Sequence, residues 1–126
     1  ASWELDSLQV FGNDYNTPDG TWVRDYIDIM DLVSWHIAAY RYLSAQQGAF
    51  WDVCNLWTGK GTSVLELIHA VEHVVWKKIP YDIAPRRPWD IDAVWANCDK
   101  AKTILTWQAQ SSIFDSIRHA LLFTSH

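Results

Sequence analysis

The chain has 126 residues, of which 49% are apolar and 20% are charged, and its formal net charge is −5. This size and composition indicate a single globular domain rather than a disordered chain. No apolar run approaches the roughly 18 residues of a membrane helix. The acidic balance argues against a nucleic-acid-binding surface or one that binds anionic membranes, and no charged-then-apolar leader indicates export.

The first third of the chain predicts a loop, a strand and a helix. Residues 1–11 show no clear cap or turn signal. Residues 12–20 are dense in Gly, Asn, Asp and Pro and therefore predict a loop. Residues 23–30 alternate apolar and polar side chains, which predicts a strand. Asp31 is then suited to N-cap a helix over about 32–46.

The middle third predicts a second strand and a capped helix. The sequence FWDVCNLW at 50–57 reads as a strand, and TGKGT after it as a turn. Ser63 is followed by Glu66 at the third position of a helix over 64–76, which is the spacing of a capping box. One face of that helix carries an apolar stripe formed by Val64, Leu67, Ile68, Val71, Val74 and Val75.

The last third predicts a short strand over 78–85 that ends at Pro85, a polar connection over 86–95, and helices at about 98–106 and 111–124. Strands and helices thus alternate along the chain, which favours the α/β class. Cys54 and Cys98 lie far apart and form no CxxC pair, so we expect two reduced structural thiols in a cytoplasmic protein.

Two short motifs suggest chemistry, and each has a plainer explanation. HAVEH, from His69 to His73, has the H-x-x-E-H form of inverted zinc peptidases. Both imidazoles lie on the polar face of the helix and no third ligand is evident, so an exposed helix without metal is the expectation. TGKGTS lacks the full phosphate-loop spacing, and a structural turn is the expectation there.

RRPWD, at residues 86–90, places two adjacent guanidinium groups just before a carboxylate, and Arg24 is a third candidate. Arginine suits bidentate phosphate binding, although paired surface arginines taken alone are usually solvated. The residues show no Ser/His/Asp order and no glycine-rich dinucleotide motif.

An ordered series of segments resembles the C-terminal part of UDP-glucose 4-epimerase, an extended short-chain dehydrogenase. The resemblance covers nearly everything after about residue 8 and is carried by LQVFGNDYNTPDGTWVRDYIDIMDL (8–32), HIAA (36–39), CNLWTGKGTSVLELI (54–68), KKIPYDIAPRRPWDI (77–91) and ANCDKAKTILTWQ (96–108). It implies the UDP-sugar-binding region of that fold, with the whole of 1–126 as one unit and the N-terminal NAD-binding Rossmann half absent.

The resemblance also implies what this chain lacks and what it binds. The family moves a hydride between NAD and C4 of the sugar, using a Tyr-x-x-x-Lys pair that does not occur here, so no catalytic residue, no cofactor in this chain and no activity in isolation are expected. Phe11 would lie near the nucleotide, Arg24 and Arg87 would contact the diphosphate, Asp90 would bind the ribose, and Tyr26 is a weaker neighbour. The implied partners are a UDP-sugar and the missing Rossmann half. The resemblance also leaves open that the full-length parent protein forms a homodimer.

Nine tryptophans stand against only five glycines. Set beside the motifs of the family, five of them occupy glycine positions: Trp22, Trp35, Trp57, Trp76 and Trp89. Trp51 is a less certain sixth, whereas a tryptophan near Trp107 fits the family. One hypothesis is a gene in which UGA encodes glycine but has been decoded as tryptophan, and deliberate engineering is the rival.

Two functions of different classes therefore remain. The first is the UDP-sugar-binding portion of an epimerase of galactose metabolism, inactive alone. The second is an engineered or repurposed non-catalytic scaffold or interaction protein, in which exposed aromatic side chains would serve association. Binding of UDP distinguishes the two.

Overall fold

The computed structural model describes residues 6–124, and both ends of the predicted domain lie outside that range. Within it the chain forms, in order, β1 (Leu8–Phe11), β2 (Val23–Arg24), α1 (Ile29–Ser44), β3 (Thr62–Ser63), α2 (Val64–Val75), β4 (Tyr81–Ala84), α3 (Asp99–Leu105) and α4 (Ile113–Thr124). The α/β class expected from the sequence is confirmed.

The strands form two small sheets. β1 and β4 pair in parallel, with Leu8 opposite Tyr81 and Phe11 opposite Ala84. β2 and β3 pair antiparallel, with Val23 opposite Ser63, and Val23 also forms a parallel bridge with Ala93. Since parallel strands end at the same edge of a sheet, the residues that follow β1 and β4 are brought side by side.

The core lies between the helices and the inner face of β1. Helix α2 packs on α4, and α1 packs on α3. The buried apolar side chains are Val10, Tyr15, Ile68, Ala70, Ala101, Trp107 and Ile117. Trp107 is also tied by its indole nitrogen, which donates to Oγ of Ser34 on α1 at 2.8 Å.

Helix α1 begins earlier than predicted. Its N-cap is Asp28, whose Oδ1 accepts from the N–H of Met30 at 2.8 Å. Asp31, the predicted cap, lies buried in the first turn and accepts from the backbone N–H groups of Gln110 and Ser111. The prediction of a cap at Asp31 was therefore wrong, because that carboxylate serves the chain entering α4 instead.

Helix α2 begins as its sequence predicts. The N–H of Glu66 donates to Oγ of Ser63 at 3.1 Å, and the N–H of Ser63 donates back to Oε2 of Glu66 at 2.8 Å. This reciprocal pair is a complete capping box. The helices predicted at 98–106 and 111–124 are likewise confirmed to within two residues.

The strand predicted at 50–57 was wrong. These residues form no strand, and Trp51 and Val53 are 83% and 67% exposed. Side chains link the segment to the start of α3 and to the loop before it: Lys100 Nζ on α3 donates to the carbonyl of Val53 at 2.7 Å, and Asn55 Nδ2 donates to that of Asn97 at 3.1 Å. Apolar and aromatic composition alone does not make a strand where no strand edge lies alongside.

The other strands differ from the predictions in extent. β2 spans only Val23–Arg24 rather than 23–30, because Asp28 already caps α1. β4 covers Tyr81–Ala84 within the predicted 78–85, and β1 lies within residues 1–11, for which no strand was predicted. Among the described residues, none of the helices has the length and apolar character needed to cross a bilayer.

Candidate functional site

The candidate site lies where β1 and β4 end. Phe11 is the last residue of β1, and Arg86 and Arg87 follow β4 after Pro85. The guanidinium carbon of Arg87 lies 4.3 Å from the centre of the Phe11 ring. The parallel pairing of the two strands thus joins two of the predicted site residues, which are far apart in sequence, into one cation–aromatic contact.

Asp90 is the acceptor at the centre of this cluster. The Tyr15 hydroxyl donates to its Oδ2 at 3.2 Å. Nη2 of Arg24 lies 3.9 Å from Oδ1, and Nε of Arg87 lies 3.7 Å from Oδ2. Both ion pairs are longer than a hydrogen bond, so the carboxylate orients the two guanidinium groups without occupying their donors fully.

Two backbone carbonyl groups hold the guanidinium group of Arg24 in place. Its Nη1 donates to the carbonyls of Val23 and Ile91, both at 2.8 Å. Its guanidinium carbon lies 4.7 Å from the centre of the Trp22 ring. The side chain of Arg87 is 52% exposed, against 27% for that of Arg24. One arginine is therefore fixed and the other is accessible, which is a suitable arrangement for an anion arriving from solvent.

The fifth predicted residue, Tyr26, is only an electrostatic neighbour. It is half-buried, and this burial raises the pKa of its phenol above the ordinary 10.0, while the positive charge of Arg24 acts in the opposite direction. The structure thus brings Phe11, Arg24, Arg87 and Asp90 together, with Tyr26 beside them.

Two residues of the cluster were not among the predicted site residues. The guanidinium carbon of Arg86 lies 3.9 Å from the centre of the Tyr15 ring, and its Nη2 is 2.5 Å from Oδ1 of Asp92. Burial raises the pKa of the Tyr15 phenol, and the charge of Asp90 raises it further, so the phenol stays protonated and able to donate. The position of Arg86 next to Arg87 in the sequence could have identified it as a site residue. Nothing in the sequence around Tyr15 indicated that it belongs to the site.

The TGKGT segment forms a loop that leads into β3, and the donors at its start are already used. The N–H groups of Thr58 and Gly59 donate to the carboxylate of Asp25 at 3.1 and 2.9 Å, and the Thr58 hydroxyl donates to it as well. An internal carboxylate thus takes the place that a phosphate would need.

The HAVEH motif also has structural partners. Lys78 Nζ and the N–H of Ile79 donate to the carboxylate of Glu72, and the His73 ring packs against Trp76 and Phe114. Among residues 6–124, no three His, Cys, Asp or Glu side chains lie close enough to hold a metal ion. The zinc-peptidase interpretation has no support.

A cavity of about 600 Å³ opens beside β2 and β3, lined among others by Asp19, Val23, Ser63, Glu66 and Trp95. Three of its polar side chains are paired with one another, because Ser63 bonds both Glu66 and Asp19. It offers less to a charged ligand than the arginine cluster does.

Comparison with known proteins gives consistent results. The family model of GDP-mannose 4,6 dehydratase matches residues 2–120. The UDP-glucose 4-epimerase of Bifidobacterium longum is 48% identical over 118 residues, which are 94% of this chain and 34% of that protein. The UDP-glucose 4-epimerase of Bacillus subtilis is 47% identical over 110 residues, 87% of this chain and 32% of that protein.

A solved structure of UDP-glucose 4-epimerase from Bifidobacterium longum, in complex with NAD+ and UDP, superposes with a TM-score of 0.88 at 46% identity. The match covers 98% of this chain and 36% of that one. The chain therefore spans about a third of the length of the relatives it matches.

Proposed function

The chain belongs to the GDP-mannose 4,6 dehydratase family, and on that premise we propose that it is the UDP-sugar-binding portion of a UDP-glucose 4-epimerase. The observation that carries the proposal is the cluster of Arg24, Arg87 and Asp90 beside Phe11, at the carboxyl ends of two parallel strands. Ligands of open α/β folds characteristically bind at that edge of the sheet.

Each residue of the cluster suits one part of a nucleoside diphosphate. The guanidinium groups of Arg24 and Arg87 have the planar donor geometry that matches phosphate oxygens. Asp90 is an acceptor for ribose hydroxyls. The Phe11 ring offers an apolar surface beside the nucleotide, and Tyr26 is a weaker neighbour of Arg24.

Catalysis belongs to a second part of the enzyme in this proposal. The solved relative is described in complex with NAD+, and no glycine-rich NAD motif or Tyr-x-x-x-Lys pair occurs in this sequence. We propose that a Rossmann domain supplies both, and that this chain alone has no epimerase activity.

An uncovered surface supports such a partner domain. One face of α1 exposes Ile29, Val33, Ile37 and Tyr40, at helical spacing and with exposures of 59, 45, 48 and 72%. The extended segment 50–57 adds the exposed side chains of Trp51 and Val53. Exposed apolar surface such as this helix face is typical of a face that another protein surface covers.

The test is a titration of the 126-residue chain with UDP, in which isothermal calorimetry measures the affinity and amide NMR shifts locate the binding site. We expect shifts centred on Phe11, Arg24 and Asp90. Arg87→Ala should weaken binding roughly 10- to 100-fold, since a hydrogen bond to a charged group is worth about 1.5–3 kcal/mol. Arg118→Ala, which removes the same charge from α4, is the matched control.

Two results would contradict the proposal. One is an equal loss of affinity in Arg87→Ala and Arg118→Ala, which would mean that only net charge attracts UDP. The other is an absence of shifts around Phe11 and Asp90, both in the chain as it stands and in a Trp89→Gly variant.

A further inference from the structure

The backbone places two tryptophans in a conformation that favours glycine. Among residues 6–124, three residues other than glycine have positive φ: Trp76 at 54°, Trp89 at 69° and Thr106 at 49°. A side chain with a Cβ resists this region, because the Cβ approaches the neighbouring carbonyl oxygen. A bulky residue there is a true outlier and needs an explanation.

Trp89 stands at a turn position that calls for glycine. The N–H of Asp90 lies 3.5 Å from the carbonyl oxygen of Arg87, so residues 87–90 form a turn with Pro88 and Trp89 at its centre. Proline followed by a residue of positive φ is the arrangement of a type II turn, whose third residue is normally glycine. The Trp89 side chain is 98% exposed, so no packing offsets the strain.

Trp76 stands where a helix ends. It follows Val75, the last residue of α2, with φ 54° and ψ 32°. A left-handed residue directly after a helix is usually glycine, because it lets the last carbonyls find donors. The Trp76 side chain is 88% exposed and contacts the His73 ring with a centroid distance of 5.8 Å.

At a third position, Trp35, the fold also fits a tryptophan poorly, here through an unpaired polar atom instead of the backbone conformation. The indole nitrogen of Trp35 is buried and has no hydrogen-bond partner. Trp107 is the contrast: its side chain is 7% exposed and its indole nitrogen donates to Ser34 at 2.8 Å. The fold accommodates Trp107 as a tryptophan, whereas it leaves the Trp35 donor unpaired at a cost.

We infer that the working protein carries glycine at positions 76 and 89, encoded by UGA codons that its source organism reads as glycine. UGA codons read as glycine would also account for Trp22, Trp35 and Trp57, which occupy glycine positions in the motifs of the family that this sequence resembles. Glycine at 89 would relieve the turn between Arg87 and Asp90. The residues at positions 76 and 89 are set by the gene and the backbone, whether or not the chain binds UDP.

The deciding experiment reads the residues directly. The gene should show UGA at codons 76 and 89 and UGG at codon 107. Peptide mapping by mass spectrometry, on the protein purified from its own organism, should show Gly at 76 and 89 and Trp at 107. Trp at 76 and 89 in that protein would overturn the inference.

A second experiment tests the backbone argument in the recombinant chain. Trp76→Gly and Trp89→Gly should each raise the midpoint of thermal unfolding by roughly 3–6 °C. Trp95→Gly is the matched control, because Trp95 is 57% exposed and is not among the residues of positive φ. If the first two variants gain no more than the control, positions 76 and 89 do not require glycine and the inference fails.

Discussion

The hydroxyl of Tyr15 donates a hydrogen bond to Oδ2 of Asp90 at 3.2 Å, and so joins two loops that lie 75 residues apart in sequence. The Tyr15 ring is buried, with 4% of its surface exposed, and the guanidinium of Arg86 covers it. Tyr15 therefore fixes the carboxylate that orients both Arg24 and Arg87, although its own side chain points into the protein rather than toward a ligand.

Tyr15→Phe removes that hydrogen bond and keeps the buried ring. We expect the free energy of unfolding to fall by about 0.5–1.5 kcal/mol, the usual net value of one hydrogen bond. UDP affinity should fall several-fold, because Asp90 loses a fixed position. Calorimetric titration and urea unfolding measure the two effects. Tyr40→Phe on the exposed face of α1 should change neither, and an equal effect of both variants would contradict the role given to Tyr15.

Asp31→Ala should be among the more destabilising single changes. The carboxylate is buried and accepts from the N–H of Gln110 at 3.1 Å and from that of Ser111 at 2.9 Å. Its loss leaves two backbone donors without a partner, at roughly 1–3 kcal/mol each. We expect a loss of about 2–4 kcal/mol in urea unfolding, with Asp31→Asn intermediate. A loss below that of Ser112→Ala would show that water replaces the carboxylate at no cost.

Two capping boxes allow a matched comparison of helix starts. Ser63, which is buried, and Glu66 cap α2, whereas Ser112, which is exposed, and Asp115 form the same reciprocal bonds at the start of α4. Ser63→Ala should cost about 1–2 kcal/mol and Ser112→Ala about 0.5 kcal/mol, since burial adds the unpaired groups to the loss of the cap. Thermal unfolding of both variants measures the difference, and equal losses would contradict this account.

The sequence predicted local features well where one short segment determines them. The Ser63 capping box needs only residues that lie within one helical turn, and it formed as predicted. Arg87 and Asp90 are likewise near in sequence. The strand prediction at 50–57 failed because a strand needs an edge supplied by another segment, and the composition of residues 50–57 contains no information about that edge.

Long-range choices between equivalent residues could not be read from the sequence. Asp28 and Asp31 are both good N-caps for α1, and only the contacts of Asp31 with the entry to α4 decide that Asp28 is the cap. In the same way, Tyr15 became part of the site through a contact with Asp90 in a distant loop. Tertiary contacts select among options that local propensity leaves equal.

Asp28 makes the protein sensitive to acid. Its side chain is buried, with 1% exposed, and lies 2.9 Å from Nδ1 of His119 on α4. Burial alone would raise the pKa of this carboxyl, but the hydrogen bonds from His119 and from the N–H of Met30, with the charge of His119, hold the pKa below the ordinary 3.8. The folded state therefore binds fewer protons than the unfolded chain just below that value.

The direction of the pH effect follows from this depressed pKa. Above pH 3.8 the stabilising contribution of Asp28 is fully present, and it is lost as the pH falls through the lower folded-state pKa. Asp28→Asn should keep the N-cap, lower the free energy of unfolding by about 1–3 kcal/mol at neutral pH, and flatten the loss of stability below about pH 4. Part of the acid loss of stability should persist in Asp28→Asn, because the pKa of Asp19 is also lowered despite its burial.

Urea unfolding between about pH 2.5 and pH 7 checks this prediction. His119→Ala should flatten the same acid limb, because it removes the strongest of the interactions that together outweigh the burial of Asp28. Arg118→Ala, one residue earlier on α4, should change the acid limb much less, because the Asp115 carboxylate with which Arg118 pairs is exposed and keeps its bonds to Ser112. If Asp28→Asn retains the full acid slope, the carboxylate does not couple folding to protons, and the Asp28–His119 pair contributes only its geometry.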